Sequence, residues 1–181
     1  MKPKNRNFFK CFPLWKASAF GVPFSTPLQY IKFENGYAYA TDAHILVRAR
    51  LTDISDFDEQ ELTLLDGKYI HATNFKKIAQ SKGEVTITGD AIEVKEEKCS
   101  VNYPLLRGIG FPNCEKVMET SDPKTLRKSF GINAELLSVL SEVMNSNNGV
   151  KMEWISNEKL EVTPRGDHKN IKGIIMTMVE Y

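Results

Sequence analysis

Three β-hairpins in one chain constrain the fold of this sequence more than any other feature. They lie in the segments YIKFENGYAYAT, VTITGDAIEV and VKMEWISNEKLEV, with turns at Asn35-Gly36, Gly89-Asp90 and Ser156-Asn157. Asn-Gly pairs adopt the positive φ angles of a tight turn, and alternating apolar residues flank all three turns. Each hairpin therefore has one apolar face that another element must cover.

The segments before the second and third hairpins predict the helices that cover them. HATNFKKIAQSKG has an apolar stripe of Ala72, Phe75, Ile78 and Ala79 and a stop at Gly83. NAELLSVLSEVMNSNNG has an N-cap at Asn133 and a stripe of Leu136, Leu137, Leu140, Val143 and Met144. A further strand follows each hairpin, CSVNYPL or IKGIIMTMVEY. Before the first hairpin, CFPLWKASAF contains Pro13 and predicts only a short or irregular helix.

These elements form repeated units separated by one connector. The stretch RGIGFPNCEKVMETSDPKT has two glycines, two prolines and little periodicity, which is typical of a surface connection. We predict an α+β fold of repeated helix-plus-antiparallel-sheet units, with the helices on one side of the sheets. One domain spans residues 1–120, with units at 1–55 and 60–105 plus the connector, and a third half-unit spans 121–181.

Composition limits the class of protein. The 181 residues are 41% hydrophobic and 26% charged with a net charge of +1, typical of a globular protein. Three widely spaced cysteines, Cys11, Cys99 and Cys114, favour reduced thiols over a disulfide framework and have no zinc spacing. No apolar run approaches the roughly 18 residues of a membrane span, and charged residues interrupt the N-terminal run where a signal peptide would be apolar. We expect a cytoplasmic protein without cofactor, metal or membrane contact.

Four segments, in order, resemble the bacterial DNA polymerase III β subunit, the sliding clamp. ATDAHILV is similar to that family's Ala-Thr-Asp-Gly-His-Arg-Leu-Ala segment, and FPNCEKVM to its Phe-Pro-Asp-x-x-Arg-Val connector. FGINAELLSVLSEV resembles the family's last helix, and GIIMTMVEY its Val-Val-Met-Pro-Met-Arg-Leu C-terminus. The resemblance implies the DNA-clamp fold. A family member has three domains of two units each, and this chain corresponds to the middle domain and the final half of the third.

The resemblance also implies a site. In the family, a pocket between the middle and last domains receives short peptide motifs of polymerases, loaders and repair proteins. Carried over position by position, this partner-peptide cleft comprises Thr41, Asp42, His44, Ile45, Leu46, Pro112, Val117, Ile174, Met176, Thr177 and Met178. Ala43, Ile45 and Thr177 replace a glycine, an arginine and a proline of the family pattern. We therefore expect a more apolar pocket with a different motif preference.

DNA is a further implied partner, because helices of the family ring direct basic side chains at the duplex. The candidate residues here are Lys76, Lys77, Lys82, Lys124, Arg127 and Lys128. The last helix, by contrast, has Glu135 and Glu142 and no Lys or Arg. The expected function is a non-catalytic processivity factor or platform for replication or repair proteins. It would self-associate if it forms a ring, and a family-like ring of twelve units would need four copies.

Two alternatives remain open at this stage. A monomeric adaptor or inhibitor derived from a clamp would bind the same peptides without encircling DNA. A hydrolase would use Asp42 and His44, whose spacing predicts a shared strand face. The competing interpretation is that Asp42 caps a turn by accepting backbone hydrogen bonds.

Overall fold

A computed structural model describes residues 9, 12–21, 26–120, 130–166 and 170–177. The ten strands are β1 Tyr30–Glu34, β2 Tyr37–Thr41, β3 Ile45–Arg50, β4 Lys68–His71, β5 Glu84–Ile87, β6 Ala91–Lys95, β7 Ser100–Pro104, β8 Val150–Ser156, β9 Lys159–Pro164 and β10 Ile171–Met176. The helices are α1 Leu51–Ile54, α2 Glu59–Thr63, α3 Ala72–Gln80, α4 Cys114–Met118 and α5 Ala134–Val143, with 3₁₀ helices at Leu14–Ala17 and Thr26–Gln29.

All three predicted hairpins are present, as β1–β2, β5–β6 and β8–β9. The strands form a seven-stranded antiparallel sheet in the order β4-β1-β2-β3-β10-β9-β8 and a three-stranded sheet in the order β5-β6-β7. The predicted α+β class of helices combined with antiparallel sheets is confirmed. Strands of all three predicted units meet in the larger sheet, and the division near residue 120 stays a prediction.

The main core lies between the larger sheet and the helices α3 and α5. Phe75 and Ile78 of α3 and Leu140 of α5 are fully buried in it, as their predicted stripes require. The side chain of Asn133 accepts a hydrogen bond from the N–H of Glu135, which confirms the predicted N-cap of α5. The segment containing Pro13 forms only the 3₁₀ helix Leu14–Ala17, which contacts both α3 and α5.

Two sequence-based expectations are wrong. The helices do not all lie on one side of the sheets, because α4 forms within the connector and packs on the opposite face of the large sheet from α3 and α5. Asp42 and His44 do not share a strand face, because both lie in the turn between β2 and β3. None of the helices in the described part of the chain is long and apolar enough to cross a membrane.

Candidate functional site

The turn between β2 and β3 is held by the side chains of the two residues before Ala43. The Oδ1 atom of Asp42 accepts hydrogen bonds from the N–H groups of His44, at 2.8 Å, and Ile45, at 2.9 Å. The hydroxyl of Thr41 donates to the carbonyl oxygen of Ile45 at 2.6 Å. Ala43 itself has a φ of +80°, in the left-handed region that favours glycine. The predicted turn-capping role of Asp42 is confirmed.

Strand β10 lies beside β3 and brings the C-terminal segment to this turn. Ile174 pairs with Leu46 and Ile175 with Ile45, and the N–H of Met176 donates to the carbonyl oxygen of His44 at 3.2 Å. Because successive strand residues point to opposite faces, Leu46 and Ile174 share the face that α4 covers.

Ile45 is therefore misplaced in the predicted cleft. Its side chain is only 2% exposed and packs with Ile175 in the main core, on the opposite face from Leu46. Side chains alternate along β3, so only every second residue can face the cleft, whereas the predicted set includes the consecutive residues Ile45 and Leu46.

Helix α4 forms the third wall and is anchored at several points. The carboxylate of Glu115 accepts a hydrogen bond from the hydroxyl of Tyr39 and forms an ion pair with Arg48 at 3.4 Å. The Lys159 ammonium donates to the carbonyl oxygen of Val117 at 3.2 Å. Burial, together with the Glu115 carboxylate, raises the pKa of Tyr39, so its hydroxyl stays protonated as the donor.

These three segments enclose an apolar cleft of about 180 Å³. It is lined by Thr41, Ala43, His44, Leu46, Pro112, Cys114, Val117, Ile174 and Met176. Thr41, Leu46, Cys114 and Ile174 are buried and form the floor. The rim is more accessible, with exposed His44 and Pro112, half-buried Val117 and Met176 at 36% exposure.

The cleft brings together seven of the predicted site residues: Thr41, His44, Leu46, Pro112, Val117, Ile174 and Met176. Asp42 stabilises the turn rather than lining the cleft. Thr177 is buried beside it and donates its N–H to the carbonyl oxygen of Glu158 at 3.0 Å, a bond that proline could not make. Met178 lies outside the described residues.

Cys114 is a floor residue of the cleft that is not among the predicted site residues. Its position two residues after Pro112, at the start of α4, is the signal in the sequence that places it there. Burial raises the pKa of its thiol to about 12, so the group faces the cleft as a neutral, weakly polar side chain.

Asp42 and His44 do not have the geometry of a catalytic pair. The Oδ1 atom of Asp42 already accepts two backbone hydrogen bonds. Within residues 26–120, 130–166 and 170–177, no hydrogen bond joins its carboxylate to the His44 ring. In the same segments no group of three His, Cys, Asp or Glu side chains is arranged to hold a metal ion.

Larger depressions elsewhere have a different character. One of about 520 Å³ is lined by charged residues such as Glu34, Arg50 and Asp66. Another, of about 840 Å³, lies beside Lys82, Glu96 and Lys98. Depressions with such open and charged linings are better suited to hold water than to bind the apolar side chains of a ligand. The smaller cleft, by contrast, is mainly apolar.

The predicted DNA-binding lysines are only partly described. On α3, Lys77 is exposed and the ammonium of Lys76 lies 5.4 Å from the centre of the Phe20 ring. Lys82 is exposed just after the helix. Lys124, Arg127 and Lys128 lie outside the described residues. On α5, Glu135 and Glu142 are both exposed, and Glu142 forms an ion pair with Lys16.

Comparison with known proteins gives structural relatives only. No protein-family model matches the chain, and a search of curated proteins finds no match. Among solved structures, the chain is similar to the DNA polymerase III β subunit of Thermotoga maritima, with a TM-score of 0.63, 9% identity, and coverage of 97% of this chain and 63% of that one. The Caulobacter crescentus β subunit gives a TM-score of 0.63 at 12% identity, with coverage of 99% and 68%.

The sliding clamp of Pseudomonas aeruginosa is also similar, with a TM-score of 0.55, 14% identity, and coverage of 96% of this chain and 64% of that one. The chain thus spans less than two thirds of the Thermotoga and Pseudomonas proteins. At such low identity the likeness establishes the architecture, and the resemblance inferred from the four segments is confirmed at that level. The chain has the fold of the bacterial DNA polymerase III β subunit, the sliding clamp.

Proposed function

We propose that this protein is a non-catalytic, clamp-like platform that binds short linear peptides of replication or repair proteins in its apolar cleft. One observation carries the proposal. Three segments far apart in the sequence, at residues 41–46, 112–117 and 174–176, converge on one small apolar depression at the surface. Each segment also resembles one wall of the peptide pocket of the sliding clamp family.

The dimensions of the cleft favour a peptide over a small-molecule substrate. Its volume of about 180 Å³ is below the roughly 300–1,000 Å³ typical of sites for drug-sized ligands. A cleft of this size accommodates the anchor side chains of a peptide whose backbone lies across the rim. Met176 on that rim is flexible and polarisable, which suits a surface that adapts to more than one sequence.

A sliding clamp of similar fold has a region proposed to tether a peptide motif. In a β sliding clamp of Caulobacter crescentus, polyethylene glycol is bound at the region proposed to tether the β motif. That chain is 11% identical to this one, with a TM-score of 0.58. The likeness of fold to a clamp with such a region supports a peptide-tethering role for this protein.

The test is a fluorescence anisotropy titration with a labelled peptide that has a Gln anchor and a Leu-Phe end. We expect saturable micromolar binding that Met176→Asp weakens at least tenfold, because the carboxylate would be desolvated against the apolar cleft. Met152→Asp is the matched control, since Met152 is 41% exposed and outside the cleft, whereas Met176 is 36% exposed. Absence of binding to the unmodified protein, or equal loss in both variants, would contradict the proposal.

DNA contact is a separate part of the proposal. The positive charges of the α3 lysines favour binding to DNA phosphates, and the negative charges of the α5 glutamates oppose it. The attraction of the protein to DNA should therefore be weak, independent of base sequence and reduced by salt. A monomeric adaptor that never encircles DNA is the second candidate, favoured by the acidic α5. It predicts peptide binding without retention on closed circular DNA, whereas a clamp predicts retention that is lost when the circle is cut.

The hydrolase alternative has no support in the geometry of the turn. The Asp42 carboxylate accepts hydrogen bonds from the backbone of the turn. The carbonyl oxygen of His44 accepts a hydrogen bond from the N–H of Met176, and His44 lies on the rim of the cleft. A cytoplasmic location remains a prediction from composition.

A further inference from the structure

Helix α4 depends on the large sheet for its structure. It has five residues, Cys114–Met118, whereas isolated helices shorter than about 12–15 residues are marginal in water. Its N-terminus is capped locally, because the side chain of Asn113 accepts a hydrogen bond from the N–H of Lys116 at 3.1 Å. One cap does not stabilise so short a helix, so α4 stays helical through its contacts with the sheet.

The apolar contacts of α4 form a small cluster apart from the main core. Cys114 is buried in this cluster, whose other buried members are Tyr39, Leu46, Ile155 and Ile174. Val117 and Met118 are only half-buried at its edge. In α3, by contrast, all four residues of the apolar stripe are buried. Because hydrophobic stabilisation grows with the apolar area removed from water, the sheet holds α4 less firmly than it holds α3.

The carboxylate of Glu115 anchors α4 to the sheet. It accepts a hydrogen bond from the hydroxyl of Tyr39, whose side chain is fully buried, and it forms the ion pair with Arg48. The α4 residues that line the cleft are Cys114 and Val117, on either side of Glu115 in the sequence. Glu115 therefore acts on the cleft through the position of the helix rather than by lining it.

The ion pair within this anchor is loose. The Nη1 atom of Arg48 lies 3.4 and 3.5 Å from the two carboxylate oxygens of Glu115, longer than the roughly 2.7–2.9 Å of a strong charge-assisted hydrogen bond. The Nε atom of Arg48 is buried and has no hydrogen-bond partner among the described residues. The side chain of Glu115 is 50% exposed, so water can replace its partners when the helix moves, which keeps the free-energy cost of release low.

We propose that Glu115 is the positioning residue of the cleft, a latch whose contacts with Tyr39 and Arg48 hold α4 on the sheet. In the docked state, Cys114 and Val117 complete the cleft. In the released state, α4 leaves the sheet, the cleft loses one wall and the Cys114 thiol becomes accessible. The inference rests on the proposed function in one respect, because a peptide that binds the complete cleft would stabilise the docked state.

Alkylation of Cys114 by N-ethylmaleimide measures release directly, since the residue is only 2% exposed in the docked state. Mass spectrometry of the full chain gives the rate at each cysteine, and the exposed Cys99 is the internal reference. Glu115→Ala should raise the Cys114 rate at least tenfold. Tyr39→Phe, which removes the hydroxyl and keeps the buried ring, should raise it severalfold. Glu119→Ala is the matched control, because Glu119 is an exposed glutamate just after α4.

Two further readouts separate the latch from a general loss of stability. Local release exposes little surface, so the Cys114 rate should stay nearly constant in urea concentrations below those that unfold the protein. Glu115→Gln retains an oxygen acceptor for the Tyr39 hydroxyl but loses the ion pair with Arg48, so its rate should lie between those of Glu115→Ala and the unmodified protein. Equal rates in Glu115→Ala and Glu119→Ala, or a Cys114 rate that follows global unfolding, would overturn the proposal.

The Gln-anchored peptide distinguishes this inference from the proposed function. At a peptide concentration of 100 times Kd, alkylation of Cys114 should be slowed about 100-fold, because only the unbound protein releases α4. A peptide that does not bind would contradict the proposed function, while the rates in Glu115→Ala and Glu119→Ala would still decide whether the latch exists. Binding that leaves the Cys114 rate unchanged would overturn the coupling between the latch and the cleft.

Discussion

Ala43 offers a direct test of how the turn that shapes the cleft is built. Its φ of +80° brings the Cβ atom close to the backbone, at a cost of about 1–2 kcal/mol for a non-glycine residue. Replacing Ala43 with glycine removes that strain. The greater freedom of glycine in the unfolded chain lowers the free energy of unfolding by roughly 0.5–1 kcal/mol and offsets part of the gain. Ala43 is exposed, so little apolar burial is lost. Ala43→Gly should therefore stabilise the protein by about 0.5–1 kcal/mol.

Urea denaturation followed by circular dichroism measures the difference in the free energy of unfolding between Ala43→Gly and the unmodified protein. For a chain of this size the predicted gain corresponds to a rise in Tm of about 1–4 °C. Ala134→Gly is the control, because Ala134 is also exposed but lies at the start of α5 outside the left-handed region. There glycine should be destabilising, by up to about 1 kcal/mol. A neutral or destabilising Ala43→Gly would refute the argument that this turn is strained.

Three further perturbations follow from the packing and electrostatics. Gly173→Ala should destabilise the protein by about 1–2 kcal/mol in the same urea assay, because the new Cβ atom would lie 2.5 Å from the Met144 Cε atom. An unchanged free energy of unfolding would show that the Met144 side chain moves away without cost. Asp42→Ala should cost about 1–2 kcal/mol, while Asp42→Asn, which retains the acceptor oxygen, should cost less. Burial raises the pKa of Cys114 from 9.0 to about 12, so the stability contributed by its neutral thiol is present below pH 9 and is lost as pH rises toward 12. The free energy of unfolding should accordingly fall more between about pH 8 and about pH 10.5 in the unmodified protein than in Cys114→Ala.

The elements predicted correctly are those that local chemistry determines. The Asn35-Gly36 turn, the apolar stripe of α3 and the N-cap of α5 each depend on residues within a few positions of one another. Periodicity and turn propensity therefore suffice to place them. The turn-capping role of Asp42 is also local, because its carboxylate accepts hydrogen bonds from the N–H groups of His44 and Ile45 just after it.

The pairing of distant strands could not be derived in this way. Nothing local in β10 specifies that it lies beside β3. Nothing local in β4 specifies that it joins β1 rather than the sheet of β5, β6 and β7 that follows it in the chain. Helix α4 was missed because five residues are too few for a periodic stripe, and its apolar contacts, such as Cys114 with the floor of the cleft, are tertiary. Ile45 was assigned to the wrong face because the turn before it sets the phase of alternation along β3.

The central claim is that peptides bind in the cleft formed by the β2–β3 turn, α4 and β10. Methyl NMR of the protein labelled at its methionine methyl groups tests it most directly, because Met176 lies on the rim and Met152 is comparably exposed elsewhere. On titration with the Gln-anchored peptide, the Met176 signal should move and saturate while the Met152 signal stays in place. Binding that leaves Met176 unmoved would contradict the account.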